Sequence, residues 1–209
     1  RVRRINADEA LIIIRNITRQ KQAETALHEQ QRITAVIARA QASFISEPDQ
    51  GKAFDSLLDD ILELTHSEYG FIGEILHTPG GEPYLKTHAI TNIAWNADTR
   101  AFYETNAPQG LEFTNLKTLF GAALTSGEAV IANRPGEDPR RGGLPDGHPP
   151  LKAFLGLPVH HGSEMVAMLG IANRAGGYDQ ALIEFLHPLL LTLGQLIFAA
   201  RIKRRFEDN

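Results

Sequence analysis

Two pairs of strand-like segments, each closed by turn residues, constrain this chain more than any other feature. Tyr69–Leu76 and Tyr84–Thr91 are joined by His77-Thr78-Pro79-Gly80-Gly81-Glu82-Pro83, and Ala153–His160 and Met165–Ala172 turn at His161-Gly162-Ser163-Glu164. Short β-rich runs separated by glycine and proline read as antiparallel hairpins. A lone hairpin is marginal in water, so both pairs are expected in one antiparallel sheet. An apolar helical stripe precedes the first pair (Phe54, Leu57, Leu58, Ile61, Leu62), and another follows the second (Leu182, Leu186, Leu189, Leu193, Leu196, Ala200). Each buried leucine contributes about 1.5–3 kcal/mol, so both stripes must be covered. Pro188 removes one backbone hydrogen bond from the last helix and is expected to kink it rather than end it. The expected class is α+β.

The chain before residue 48 reads differently. Ala10-Leu11-Ile12-Ile13-Ile14 is a β-branched run that reads as a strand, ending at Asn16-Ile17-Thr18, where Thr18 would cap a helix starting at Arg19. From Arg19 to Ser46 there is neither glycine nor proline. Ala23, Ala26, Gln30, Ile33, Ile37, Ala40 and Phe44 follow the alternating three-four spacing of a coiled-coil seam. Two alternatives follow: a dimeric signalling helix, or an amphipathic helix lying on its own domain. Pro48-Asp49-Gln50-Gly51 then breaks the chain.

Composition excludes several classes. The 209 residues contain no cysteine and carry a net charge of −4. Disulfides, thiolate metal sites and cysteine nucleophiles are therefore absent, and the expected compartment is the reducing cytoplasm. Nothing in the overall charge favours nucleic acid or an anionic membrane. The stretch from Leu182 to Ala200 is apolar with a basic flank, but Glu184, His187, Pro188 and Gln195 interrupt it, and no membrane contact is expected.

The middle of the chain holds two short helical stretches, around Thr99–Asn106 and Leu116–Ser126, and a brief strand at Ala129-Val130-Ile131. Asn133 to Pro150 is a loop dense in proline and glycine, too long for a mere connector. Several phrases resemble the GAF domains of bacterial sensor kinases and cyclic-di-GMP signalling proteins. They are Ser67-Glu68-Tyr69-Gly70-Phe71-Ile72-Gly73-Glu74, Thr91-Asn92-Ile93-Ala94-Trp95-Asn96, Gly142-Gly143-Leu144-Pro145 and Ala172-Asn173-Arg174. Asn16-Ile17-Thr18-Arg19-Gln20-Lys21-Gln22-Ala23-Glu24 resembles the exit of PAS sensory domains. These resemblances imply three regions. Residues 1–18 would be the last strand of a truncated PAS-like domain, 19–47 a linker helix, and 48–209 a GAF domain with its output helix. A GAF domain implies an antiparallel sheet with long N- and C-terminal helices packed on one face.

The resemblance also implies a ligand site on the opposite face, roofed by the middle segments. The matching region is rich in polar and aromatic side chains: His88, Asn92, Trp95, Asn96, Arg100, Tyr103, Arg140, Arg141 and His148. A small-molecule pocket wants such converging polar groups and an aromatic wall. Arg140 and Arg141 read either as an anion clamp or as ties from the loop to Asp138, Glu137 or Asp146. The cyclic-nucleotide signature is only hinted at, since Leu182-Ile183 stand where an acidic pair belongs, and Asn173 reads as closing the turn after its strand. His160-His161 point to opposite faces of a strand, and no paired metal-ligand spacing occurs. The reading is a sensor module that binds an unknown small ligand, forms a homodimer through its terminal helices and controls an output domain outside this chain. No cofactor is assigned. One GAF branch resembles a free methionine-sulfoxide reductase, whose chemistry needs cysteines, so the chain is expected not to be an enzyme. The alternatives are a ligand-free dimerisation scaffold and a GAF-fold enzyme that works without cysteine.

Overall fold

A computed structural model describes residues 7–91, 109–144 and 148–207, with side chains from residue 18 onward. The described residues form four helices and six strands: α1 (Ala7–Ser46), α2 (Gln50–Thr65), β1 (Tyr69–His77), β2 (Pro83–Ile90), β3 (Glu112–Phe113), α3 (Leu119–Ser126), β4 (Val130–Ala132), β5 (Phe154–His161), β6 (Glu164–Ala172) and α4 (Gln180–Glu207). The strands make one sheet in the order β3-β2-β1-β6-β5-β4, antiparallel at each join. Both expected hairpins are present, and β1 pairs with β6 from Tyr69↔Ala172 to Glu74↔Ala167. The expected helix at 99–106 lies outside the described residues.

Local chemistry sets the helix ends. Asp49 caps α2 by accepting from the Gly51 amide at 2.9 Å, and Thr118 caps α3 by accepting from the Gly121 amide at 3.1 Å. The cap explains why α3 starts at Leu119 and not at Leu116. α4 runs unbroken through Pro188.

Alternation along the central strands sends side chains to two different cores. Ile72, Leu155, Leu157, Leu169 and Ile171 face α2 and α4, where they meet Phe54, Leu57, Ile61, Leu186, Leu189 and Leu193. Phe71, Ile75, Phe154 and Met168 face the other way, onto α3. α2 covers β1 and β2, α4 covers β5 and β6, and α1 packs across both helices through Ile33, Val36 and Ala40. The class is therefore α+β, with the long terminal helices on one face of an antiparallel sheet.

One expectation needs correction. The strand at 10–14 is helix, continuous with the rest of α1. Extending an existing helix adds one hydrogen bond per residue fixed, so propagation along α1 overrides the β-branched run. The expected seam residues fall into two sets: Ile33 and Ala40 are buried in the domain itself, while Ala23, Ala26 and Gln30 are exposed. Leu189 and Leu193 are fully buried against the sheet, so charged residues there would unfold the domain. Among the described helices, α4 is the one long and apolar enough to cross a membrane by length and composition, and its apolar side lies on the sheet.

α4 approaches β5 so closely that a Cβ on Gly194 would collide with the His160 carbonyl oxygen. A glycine-to-alanine change inside a helix normally gains about 0.5–1 kcal/mol. Here overpacking costs about 1–3 kcal/mol and reverses the sign. Gly194→Ala is expected to lower the urea midpoint, and a raised midpoint would show that α4 does not rest on β5.

Candidate functional site

The sheet face away from the terminal helices is built from rings over glycines. Phe71, Gly170, Gly156 and Val130 stand in one row across β1, β6, β5 and β4. A Cβ on Gly170 would run into the Phe71 ring, so only glycine lets that ring lie flat across the sheet. Phe71 meets Phe113 edge-on at 5.7 Å and Phe120 at 6.5 Å, and Phe113 and Phe120 stand 5.6 Å apart. Tyr69, two residues before Phe71 on the same side, meets the His148 ring edge-on at 5.8 Å. Burial first, then the nearby Glu68 and Tyr178 charges, push the Tyr69 hydroxyl up to about 12, so it stays a neutral donor.

Asn173 pins the long loop at the rim of this face. Its backbone is left-handed, with φ 62°, which asparagine tolerates well. Its Oδ1 accepts from the Lys152 amide at 2.7 Å, and its Nδ2 donates to Glu68 at 2.7 Å and to the Pro150 carbonyl at 3.0 Å. The expectation that Asn173 closes the turn after its strand holds. Asn133 fastens the start of the loop by donating to the Tyr178 carbonyl at 2.9 Å and accepting from its amide at 2.8 Å.

The sequence-level candidates fall into three groups. Asn92, Trp95, Asn96, Arg100 and Tyr103 lie outside the described residues. Arg140 and Arg141 act as ties within the loop: Arg140 grips Asp138 at 2.7 and 2.9 Å, and Arg141 donates to the Gly136 carbonyl. The hydrogen bonds from Arg140 hold Asp138 at a pKa of about 2. His148 lies at the rim of the ring-lined face, its Nδ1 2.8 Å from the Pro149 carbonyl.

His88 does not join them. It faces the terminal helices, with its ring 4.6 Å from that of Phe54 and its Nε2 3.0 Å from Glu74 Oε2. The physical reason is a bulge in β2: Ile72 pairs with Ala89 and Gly73 with Thr87, which leaves His88 as the extra residue. A bulge shifts side-chain alternation, and nothing in the sequence marks it.

Glu74 is the functional-looking residue that pattern reading missed. It is 1 % exposed, among the apolar residues of β1. Arg201 Nε donates to it at 2.8 Å, Arg204 donates as well, and His88 completes the ring of partners. Arg201 also reaches Glu164 at 2.7 Å and the Ile75 carbonyl at 3.3 Å. Burial pushes the Glu74 carboxyl up, but the hydrogen bonds from His88, Arg201 and Arg204 outweigh it and hold the group at about 2. An acid at an inward strand position was the available signal.

A carboxylate lowered in the folded state contributes stability above its unfolded pKa, about 4.3, and loses that contribution as pH falls through its folded value. The folded protein is therefore expected to lose stability between about pH 4.5 and pH 2 in part through Glu74. In Glu74→Gln that part of the acid limb should be missing from a series of urea melts across this range. An unchanged limb would show that the carboxylate is not held as described.

Comparison with known proteins agrees with this architecture. Residues 47–197 match the GAF domain family. The chain is 24% identical over 192 residues to the methyl sulfide methyltransferase-associated sensor of Methanosarcina acetivorans, covering 88% of this chain and 18% of that protein. It thus spans under a fifth of that relative's length. Among solved structures, the GAF domain of a phosphoenolpyruvate-protein phosphotransferase from Coxiella burnetii superposes with a TM-score of 0.64 at 15% identity, over 84% of this chain and 98% of that one. A free methionine-R-sulfoxide reductase from Neisseria meningitidis, solved with its substrate, superposes with a TM-score of 0.58 at 11% identity, over 82% and 91%. That likeness corrects the expectation that the chain is not an enzyme: the same fold carries catalysis there, so fold and module type do not exclude it here. With the sheet, the helical layer and most of the chain all in agreement, this protein belongs to the GAF domain family.

Proposed function

We propose that the chain is the regulatory sensor module of a cytoplasmic signal-transduction protein, with a small ligand taken on the ring-lined face and the signal leaving through the terminal helices. The observation that carries this reading is the division of labour between the two faces of the sheet. One face is closed by α2 and α4 over a continuous aliphatic core, while the other presents Phe71, Phe113 and Phe120 beside α3 and Tyr69 against His148 of the long loop. Rings with a few polar neighbours are the usual lining of a small-molecule site. Asn92, Trp95, Asn96, Arg100 and Tyr103 are the sequence-level candidates for its polar side, with His148 at the rim. The relative from Methanosarcina is by its name a sensor, which favours the same role. The output domain would be a histidine kinase or a cyclic-di-GMP enzyme.

Signal exit rests on α1 as well. Its residues from Thr18 to Arg32 are all exposed and carry Ala23, Ala26, Leu27 and Gln30 along one side. A second copy pairing there would complete the seam whose other half is already packed on the domain. Sedimentation equilibrium is expected to show a homodimer that Leu27→Glu weakens about tenfold or more, and a wild-type monomer at high concentration would rule the pairing out.

For the ligand itself, mass spectrometry of small molecules released from the purified, denatured protein is expected to recover one species near stoichiometry. A second reading, a ligand-free dimerisation scaffold, is favoured by the same rings, since Phe71, Phe113 and Phe120 already fill one another's space. Protein that releases nothing and whose melting temperature no small-molecule panel raises would favour the scaffold.

A further inference from the structure

The network around Glu74 connects elements that are otherwise separate. Glu74 belongs to a central strand, His88 to the neighbouring β2, and Arg201 and Arg204 to the last two turns of α4. His88 is the bulged residue of β2. Phe54 of α2 holds the His88 ring from the helical side. On the far side of the clasp a groove of about 520 Å³ opens along Ile75, His77, Glu164 and Arg205. Arg204 is 42 % exposed and borders that groove, so its side chain has room to leave Glu74 without displacing core residues. Arg201 is 15 % exposed and is held by three acceptors. The two arginines are therefore unequal: one anchors the helix, and the other is free to exchange.

We propose that Glu74 couples β2 to the exit of α4, with His88 and Arg204 sharing one carboxylate oxygen and thereby linking the state of the β2 bulge to the position of the last helical turns. Both groups approach Oε2, whereas Arg201 takes Oε1. Oε2 holds both donors at once, so a shift of the β2 bulge moves the carboxylate oxygen that Arg204 grips. When His88 withdraws, the carboxylate loses its tie to β2 and the helix end that it holds is loosened. A physical element with two discrete arrangements, biased from either end, is what coupling between distant sites requires. The test needs no ligand, so it succeeds or fails independently of the sensor reading.

The absence of cysteine makes a spin-label experiment direct. Labels at Glu82→Cys, in the β1–β2 turn, and Phe206→Cys, which is 80 % exposed at the end of α4, report the distance between sheet and helix exit. Arg204→Ala is expected to broaden that distance distribution about twofold. His88→Ala is expected to broaden it by a smaller amount, and Lys203→Ala should leave it unchanged. Glu74→Gln should broaden it like Arg204→Ala. Should that variant fail to fold, the Arg204 and His88 variants carry the test alone. An unchanged distribution in His88→Ala would overturn the coupling, as would broadening in Lys203→Ala equal to that in Arg204→Ala, since the helix end would then merely be frayed.

Discussion

The pairing of β1 with β6 is the contact on which the rest of the structure depends. It joins residues about a hundred positions apart in the sequence, Tyr69–Glu74 with Ala167–Ala172, and converts two hairpins into one sheet. Contacts this distant carry a large loop-closure cost that the sheet must recover through burial. It does so on both sides, because Ile72, Leu169 and Ile171 enter one core while Phe71 and Met168 enter the other. The ladder also decides where the terminal helices go. α2 runs into β1 and α4 leaves from β6 at the same end of that ladder, so the two helices come to lie side by side on one face. A hydroxyl chain reinforces the junction: Thr65 to Ser67 and Ser67 to Tyr178, each at 2.9 Å.

With the terminal helices committed to one face, the other is left to α3, loops and rings. Its glycine row follows from this arrangement. Side chains at Gly170 and Gly156 would occupy the space taken by Phe71 and the Met168 methyl group, so aromatic surface is laid flat against the backbone instead of standing off it.

How much of this was legible in the sequence depended on the range of the interaction. The hairpins, the Asn173 turn and the apolar stripes of α2 and α4 are written in local periodicity and turn chemistry, and each was found. The run at 10–14 was misread because β-branched residues signal strand only where a sheet is within reach, and helix propagation from α1 prevailed. His88 was assigned to the wrong face because the bulge beside it arises from how β2 must register on Ile72 and Gly73, which depends on the partner strand. Arg140 and Arg141 read equally well as clamp or tie, and the proximity of Asp138 and Gly136 in the folded loop makes them ties. Glu74 escaped notice because its partners Arg201 and Arg204 are more than 120 residues away.

That last pair of arginines raises a question about design. A buried ion pair is often no more stabilising than apolar residues of the same volume, so stability alone gives little reason to place a carboxylate in β1. What the carboxylate adds is direction. An apolar seat would hold α4 over a continuum of small slides, as leucines tolerate displacement with little change in buried area. Two oxygens with assigned donors admit only a few arrangements, separated by the cost of leaving a charged group unpaired. The upper part of α4 is fixed by Leu186, Leu189 and Leu193, all fully buried, and the clasp acts only beyond Ala200. The helix is thus anchored by non-directional contacts where it must not move and by directional ones where it leaves the domain. An exit held this way can change position in steps while the core that supports it stays packed.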